Sequence, residues 1–198
     1  ARDPMAAQKD QARKSLADVM EEAVKFYRLQ LATAGGQIAR SYLSGRALGP
    51  EAQARWDIGW APDQRQGLFS SLTAKGISAN LIVEAGLCAH PDGGGAPYDR
   101  FRGRIIFPIR DARGRCVGLG GRSLDPEARA KYLNSPETPL FDKGRSLYNT
   151  ASAREAAGKG APLVVAEGYM DVIALSEAGF KSAVAPLGTA VTAEQLQL

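Results

Sequence analysis

Apolar residues recur at helical spacing over the first third of the chain and at strand spacing over much of the second half, and this change of period divides the molecule. Within residues 8–33, Leu16, Val19, Ala23, Phe26 or Tyr27 and Leu31 fall near helical spacing among charged residues. The pattern predicts one long amphipathic helix, stopped by Gly35-Gly36. Ile38, Tyr42 and Leu43 predict a second helix, and Pro50 opens a third. The run from Trp56 to Trp60 predicts a short extended segment ending at Pro62. Two short helices follow, around residues 68–74 and 79–84, ending at Gly76 and Gly86. Residues 90–97, HPDGGGAP, form a flexible loop by composition and a candidate subdomain boundary. Beyond it, RIIFPIR (104–110) and RCVGLGGR (115–122) flank Asp111-Ala112-Arg113-Gly114, which predicts an antiparallel hairpin with Pro108 at an edge or a bulge. Residues 125–149, punctuated by Pro, Asn and Ser, predict ordered loop rather than core element. From Thr150 the order is helix, strand (162–167), helix (169–178), strand (182–187) and a helix starting after Thr192. That alternation predicts a βαβ unit with a parallel sheet. Two parallel strands are too little sheet for a finished α/β domain, so the chain is expected to be a fragment of a longer polypeptide.

The 198 residues are 44% hydrophobic and 23% charged, enough apolar mass for one substantial core or two modest ones and too much for a disordered chain. No apolar run approaches the roughly 20 residues of a membrane span, and the amino terminus has no signal-peptide apolar region. A soluble cytoplasmic protein without a membrane partner is expected. Cys88 and Cys116 with the single His90 cannot build a disulfide framework or a zinc ribbon, and as a metal site they lack a fourth ligand. Two structural thiols are expected instead. The net charge is only +4, but residues 99–145 hold 11 Lys and Arg against 6 Asp and Glu. Such a local excess is the footprint of a polyanion partner or, equally, of a solvated basic face.

Three constellations could carry chemistry. In VVAEGYMDV (164–172) an apolar strand ends at Glu167, turns through Gly168 and enters a helix bearing Asp171. Carboxylates at the carboxyl end of such a strand can hold a hard divalent cation such as Mg2+; the alternative is an acidic residue complementing the helix macrodipole. The second is the basic series Arg100, Arg102, Arg104, Arg110, Arg113, Arg115 and Arg122, the last following Gly120-Gly121. On an extended backbone, positions 100, 102 and 104 would face one way, and beside the glycine pair they would make a groove for a phosphate chain. Solvent exposure with scattered carboxylate pairing is the competing reading. In the third, KYLNSPET (131–138) and FDKGRSLYN (141–149), Tyr132 and Asn134 could stack on or hydrogen-bond a nucleotide while Lys131, Lys143 and Arg145 supply charge. Arg46, in YLSGR, is by itself an ordinary cation near a helix end.

Taken together and in this order, FRGRIIFPIRDARGRCVGLGGRSL, KYLNSPETPLFDKGRSLYN, VVAEGYMDVIAL and APLGTAVTAEQLQL closely resemble the RNA polymerase core of bacterial replicative DNA primases of the DnaG type, over most of residues 38–198. The resemblance implies an α+β fold: an α-rich amino-terminal subdomain with a small antiparallel sheet (1–149), then the beginning of an α/β Toprim domain (150–198). It implies template-directed joining of ribonucleotides, as a nucleotidyltransferase that makes RNA primers for DNA replication. Glu167 would be the catalytic residue, as metal ligand or proton shuttle, and Asp171 a second ligand to Mg2+ or Mn2+. Arg46, Arg100, Arg102, Arg122, Lys131, Tyr132, Lys143 and Arg145 match the family's basic ridge and nucleotide-facing positions. The implied partners are single-stranded DNA template, ribonucleoside triphosphates and guanosine tetraphosphate-type alarmones that mimic a triphosphate.

The family's second Toprim motif, Asp-x-Asp, is expected downstream of Leu198, so weak Mg2+ binding and no primer synthesis by these residues alone are expected. A zinc ribbon and a domain contacting the replicative helicase are expected in other parts of the family's chains, and replication forks at the nucleoid are the implied location. Alternatives are another Toprim enzyme, a topoisomerase or nuclease, or a single-strand-binding module whose carboxylates only cap a helix. The leading reading requires the acidic corner and the arginine-lined trough to share one opening.

Overall fold

The computed structural model of the chain describes residues 4–188 and 191–195, with side chains from residue 15 onward. Helix α1 (Pro4–Ala32) realises the long amphipathic period, and a helical turn at Ala34–Gly36 leads into α2 (Gln37–Gly45). A Cβ at Gly36 would lie 2.3 Å from the Leu31 carbonyl oxygen, so the glycine lets the chain fold back against the last turn of α1. Helix α3 (Pro50–Arg55) starts on its proline, and of the extended segment expected from Trp56 to Trp60 only the end is strand: Trp56 caps α3 and β1 spans Gly59–Ala61. Helices α4 (Gly67–Ala74) and α5 (Ala79–Glu84) follow as predicted. The glycine-rich loop 90–97 is closed by a ribbon of two-residue strands, β2 (Cys88–Ala89) and β3 (Tyr98–Asp99), too short for any period to register. From β3, buried Asp99 accepts the backbone N–H groups of Leu68 (2.7 Å) and Phe69 (3.0 Å) at the start of α4.

Strands β4 (Arg104–Arg110) and β5 (Cys116–Ser123) form the expected hairpin. Its turn is closed by the Asp111 N–H on the Arg115 carbonyl (3.0 Å) and turned through Gly114 at φ +78°. Pro108 lies where β4 has outrun β1, which pairs only with Arg104–Ile106, and next to a register shift at Ile109/Arg110. Residues 125–149 depart from the predicted loop. Here β6 (Tyr132–Asn134) adds a fourth strand beside Gly120–Arg122, and β7 (Leu147–Tyr148) enters a second sheet. Ser135, Phe141, Leu147 and Tyr148 are buried, so this segment is part of the core. Strands of two and three residues carry no readable alternation; only tertiary pairing reveals them. The first sheet is antiparallel in the order β1-β4-β5-β6.

Helix α6 (Thr150–Gly158) precedes β8 (Val164–Val165), α7 (Tyr169–Glu177) and β9 (Ala183–Pro186). β8 and β9 are parallel, the predicted βαβ unit, and β7 completes the sheet antiparallel to β9 in the order β7-β9-β8. Thr192 and Gln195 exchange the two hydrogen bonds of a capping box, while the helix expected beyond them lies largely outside the described residues. The fold class is α+β.

The four-stranded sheet is covered on both faces. On one, Met20, Val24 and Tyr27 of α1 pack with Ile106 and Leu119; on the other, Phe107 and Ile109 pack with Tyr169, Val172 and Ile173 of α7. This double burial explains the glycines of β5. A Cβ would meet Phe141 Cγ at 3.0 Å on Gly118, Tyr169 Cζ at 2.3 Å on Gly120 and Phe101 Cδ1 at 2.7 Å on Gly121. The Gly120-Gly121 pair therefore receives two aromatic rings, not the phosphate chain its sequence suggested. Cys88 and Cys116 are free and buried and His90 is exposed, as expected of structural thiols; burial pushes the Cys116 thiol up to about 12. Among the described residues, no helix is long and apolar enough to cross a membrane.

Because Gly120 has no room for a methyl group, Gly120→Ala is expected to destabilise the chain by about 1–3 kcal/mol in chemical denaturation. Gly158→Ala, at the end of α6 with nothing within 4 Å, is expected to be neutral or to stabilise by up to about 1 kcal/mol.

Candidate active site

The chain leaves β8 through Glu167, and Gly168 in extended conformation caps α7, placing Asp171 in its first turn. Both carboxylates are exposed and line a cleft of about 410 Å³ together with Tyr132, Asn134, Tyr169 and Leu187. Asp171 Oδ2 lies over Gly168, 3.4 Å from the position of a Cβ there, so a side chain at 168 would crowd the carboxylate. The corner is held by Tyr169, which stacks on Phe107 at 5.4 Å and meets Tyr148 edge-on at 4.8 Å. Its hydroxyl donates to Asn134 Oδ1, and Asn134 Nδ2 donates to the Leu187 carbonyl at 2.7 Å, joining β6 to both walls of the cleft.

The other end of α7 is clamped as well. Glu177 accepts from Arg55 Nε (3.0 Å) and Nη2 (2.7 Å) and from the Trp56 indole N–H (2.9 Å). These charge-assisted bonds pull its carboxyl down to about 2.

On the basic side, Arg122 is only 8% exposed and lies between the rings of Tyr42 (4.8 Å) and Tyr132 (5.4 Å). Its Nη1 donates to the Tyr132 hydroxyl at 2.8 Å. Its Nε and the Tyr42 hydroxyl are buried with no hydrogen-bond partner. A cleft of about 420 Å³ runs between Tyr42, Arg122, Leu124 and exposed Lys131. Arg46, exposed at the end of α2, reaches over the same Tyr42 ring at 5.3 Å. Tyr132 lines the acidic cleft with one side and packs on Arg122 with the other. The acidic corner and Arg122 are therefore neighbours across Tyr132, with Lys131 beside it in the chain and Arg46 one ring further on, over Tyr42.

Other predicted residues lie elsewhere. Arg100, Arg102 and Arg104 do not share a strand: the chain turns at Gly103 (φ +58°) and β4 begins only at Arg104. Arg104 is spent on the Ala130 (2.9 Å) and Lys131 (3.3 Å) carbonyls. Arg102 is exposed, whereas Arg100 is half-buried with its Nε unpartnered. Lys143 and Arg145 sit in a helical turn at the far end of the Lys131–Arg145 segment, and Arg145 lines a separate cleft. Asn134 is committed to internal hydrogen bonds, so it positions its neighbours. Tyr42, Tyr169 and Glu177 were not singled out from sequence; Tyr42 stands one helical turn before Arg46, the one local sign of their pairing.

Two carboxylates with no third acidic, histidine or cysteine side chain form the donor set, because no group of three potential ligands occurs among the described residues. This suits one side of an oxygen-liganded divalent cation that keeps waters and shares phosphate oxygens.

Comparison with known proteins bears on both halves. Residues 26–154 match the DNA primase catalytic core, N-terminal domain, and residues 161–198 match the Toprim domain. A DNA primase from Deinococcus radiodurans is 52% identical over 160 residues, 81% of this chain and 28% of that protein. A structure of the DnaG primase catalytic domain bound to ssDNA superposes with TM-score 0.85 at 41% identity, covering 95% of this chain and 60% of that one. The RNA polymerase domain of Mycobacterium tuberculosis primase DnaG, in complex with a double-stranded DNA oligomer carrying a 6-nucleotide overhang, gives TM-score 0.88 at 35% identity, covering 93% and 57%.

The Glu177 clamp has a pH signature. With its folded carboxyl lowered to about 2, its stabilisation is complete above the unfolded value and is lost as pH falls through the folded one. Acid unfolding followed by circular dichroism is expected to show Glu177→Gln less stable at neutral pH, with the gap to the unmodified chain closing between about pH 4.5 and 2.

Proposed function

This chain belongs to the DnaG-type DNA primase catalytic-core family, and from that premise we propose that it forms the template- and nucleotide-binding part of a primase core, where ribonucleotides are joined into RNA primers on single-stranded DNA. The observation that carries the reading is Tyr132, which lines the acidic cleft and packs against Arg122 of the neighbouring cationic cleft. A polymerase that handles triphosphates needs both signs of charge within reach of one substrate; among the described residues no Lys or Arg lines the acidic cleft, and Arg122 and Lys131 of the neighbouring cleft supply the positive charge. The primase match over residues 26–154, outside the Toprim segment, disfavours a topoisomerase or nuclease.

In this reading Glu167 and Asp171 hold Mg2+ or Mn2+, in keeping with the divalent-metal use of Toprim domains. Such a cation, when bound, neutralises the triphosphate and activates the primer 3'-hydroxyl. Glu167 is the catalytic carboxylate, as ligand or proton shuttle. Arg122, Arg46 and Lys131 grip phosphates, and Arg122 is pre-oriented by its tyrosines so that little side-chain freedom is lost on binding. Tyr132 offers an exposed ring face for a base. Arg100 and Arg102 carry template backbone, joined by Lys143 and Arg145. A guanosine tetraphosphate-type alarmone presents the phosphates these cations accept and would compete with GTP. Zinc binding and contact with the replicative helicase are assigned to other regions of the longer protein, since this chain spans 28% of its Deinococcus relative. The place of action is the replication fork at the nucleoid.

In full-length primase, Glu167→Gln is expected to abolish dinucleotide synthesis while template affinity stays within about twofold. Lys131→Ala is expected to lower affinity and reduce the salt slope by about 0.7. Dinucleotide synthesis at the unmodified rate by Glu167→Gln would remove Glu167 from the catalytic role.

A further inference from the structure

The segment from Lys131 to Arg145 lines three clefts in succession along the edge of β5. Lys131 belongs to the cleft of Arg122, Tyr132 and Asn134 to the acidic cleft, and Leu140 and Arg145 to a third of about 200 Å³ at the hairpin-turn end. Arg122 and Cys116 mark the two ends of this stretch of β5, which at strand rise separates the outer clefts by about 20 Å. The acidic cleft thus has a cationic cleft on each side of it.

Four arginines line the third cleft, in two classes. Arg110 is neutralised by Glu21 and Asp57 and Arg115 by Asp111. Arg145 and Arg154 are exposed and have no ion pair among the described residues. They stand on the rim above an apolar floor that includes Val117 and Leu147. A guanidinium free of carboxylates beside a small cleft suits a phosphodiester, which it can bind with two parallel hydrogen bonds.

Resting on the single-strand reading above, we propose that this cleft is a second phosphate subsite, held by Arg145 and Arg154, which takes the backbone of the strand on the side of the acidic cleft away from Arg122. A strand engaged at both clefts is held on either side of the reacting position. Affinity should then depend on strand length, and Arg154, on α6, becomes a template-binding residue.

The test is fluorescence anisotropy of labelled oligothymidylates of about 20 nucleotides, beyond the usual single-strand site sizes, and of about 3 nucleotides, too short to span both outer clefts, across about 50–200 mM salt. Arg154→Ala is expected to reduce the salt slope for the long strand by about 0.7 and leave the short strand unchanged. Arg154→Glu is expected to act further in the same direction, with both variants melting like the unmodified chain. Unchanged affinity and slope for the long strand in Arg154→Glu would overturn the subsite. Arg122→Gln should weaken both lengths. If it weakens neither while Arg154→Glu weakens the long strand, the second subsite stands and the reading of the Arg122 cleft as a phosphate site is lost.

Discussion

The relation between the two halves of this molecule rests on one ring seated on one glycine. Tyr169 lies over Gly120, where a single methyl group would come within 2.3 Å of its Cζ, and is sandwiched among Phe107, Tyr148 and the sheet. Burying a ring of this size is worth about 1.5–3 kcal/mol, and each aromatic pair about 0.5–1.5 more. Burial also pushes the phenol well above its ordinary range, so it keeps its proton and acts as the donor to Asn134. Because Tyr169 is two residues from Glu167 and two from Asp171, its seat sets where the acidic corner stands relative to the antiparallel sheet. Glu177, gripped by Arg55 and Trp56, keeps the other end of α7 from swinging.

A second constraint concerns charge. Cations and carboxylates in neighbouring clefts can pair and cancel, yet no ion pair joins Arg122 or Lys131 to Glu167 or Asp171 among the described residues. Arg122 is oriented instead by two ring faces and a phenol hydroxyl, which fix the guanidinium without neutralising it. The full positive charge stays available to an incoming anion. Arginines elsewhere in the same basic run do different work: Arg110 ties the hairpin to α1 and to the Asp57 turn, and Arg104 braces the 123–131 loop through backbone carbonyls.

This division of labour explains why the basic run was only partly legible in sequence. Seven arginines between residues 100 and 122 look alike on paper, and alternate spacing suggested one cationic face. The turn at Gly103 and the pairing of Arg110 with Glu21, 89 residues away, break that face, and neither can be read from neighbouring residues. The glycine pair before Arg122 suggests room for a ligand in sequence, but in the fold it makes room for Phe101 and Tyr169. A missing side chain reveals that something approaches closely, not what approaches.

Local periodicity and motif order determined the long first helix, the β4–β5 hairpin, the parallel βαβ unit, and the placement of Glu167 and Asp171 around the start of a helix, because each depends on residues within a turn or two of one another. Tertiary structure alone decided that the 125–149 segment is core, that Tyr132 stands between the acidic and basic clefts, and which arginines remain free. Those outcomes depend on contacts between residues tens of positions apart, such as Tyr169 with Asn134 and Arg55 with Glu177. No short stretch of chain encodes such a contact; it exists only once several elements have packed together.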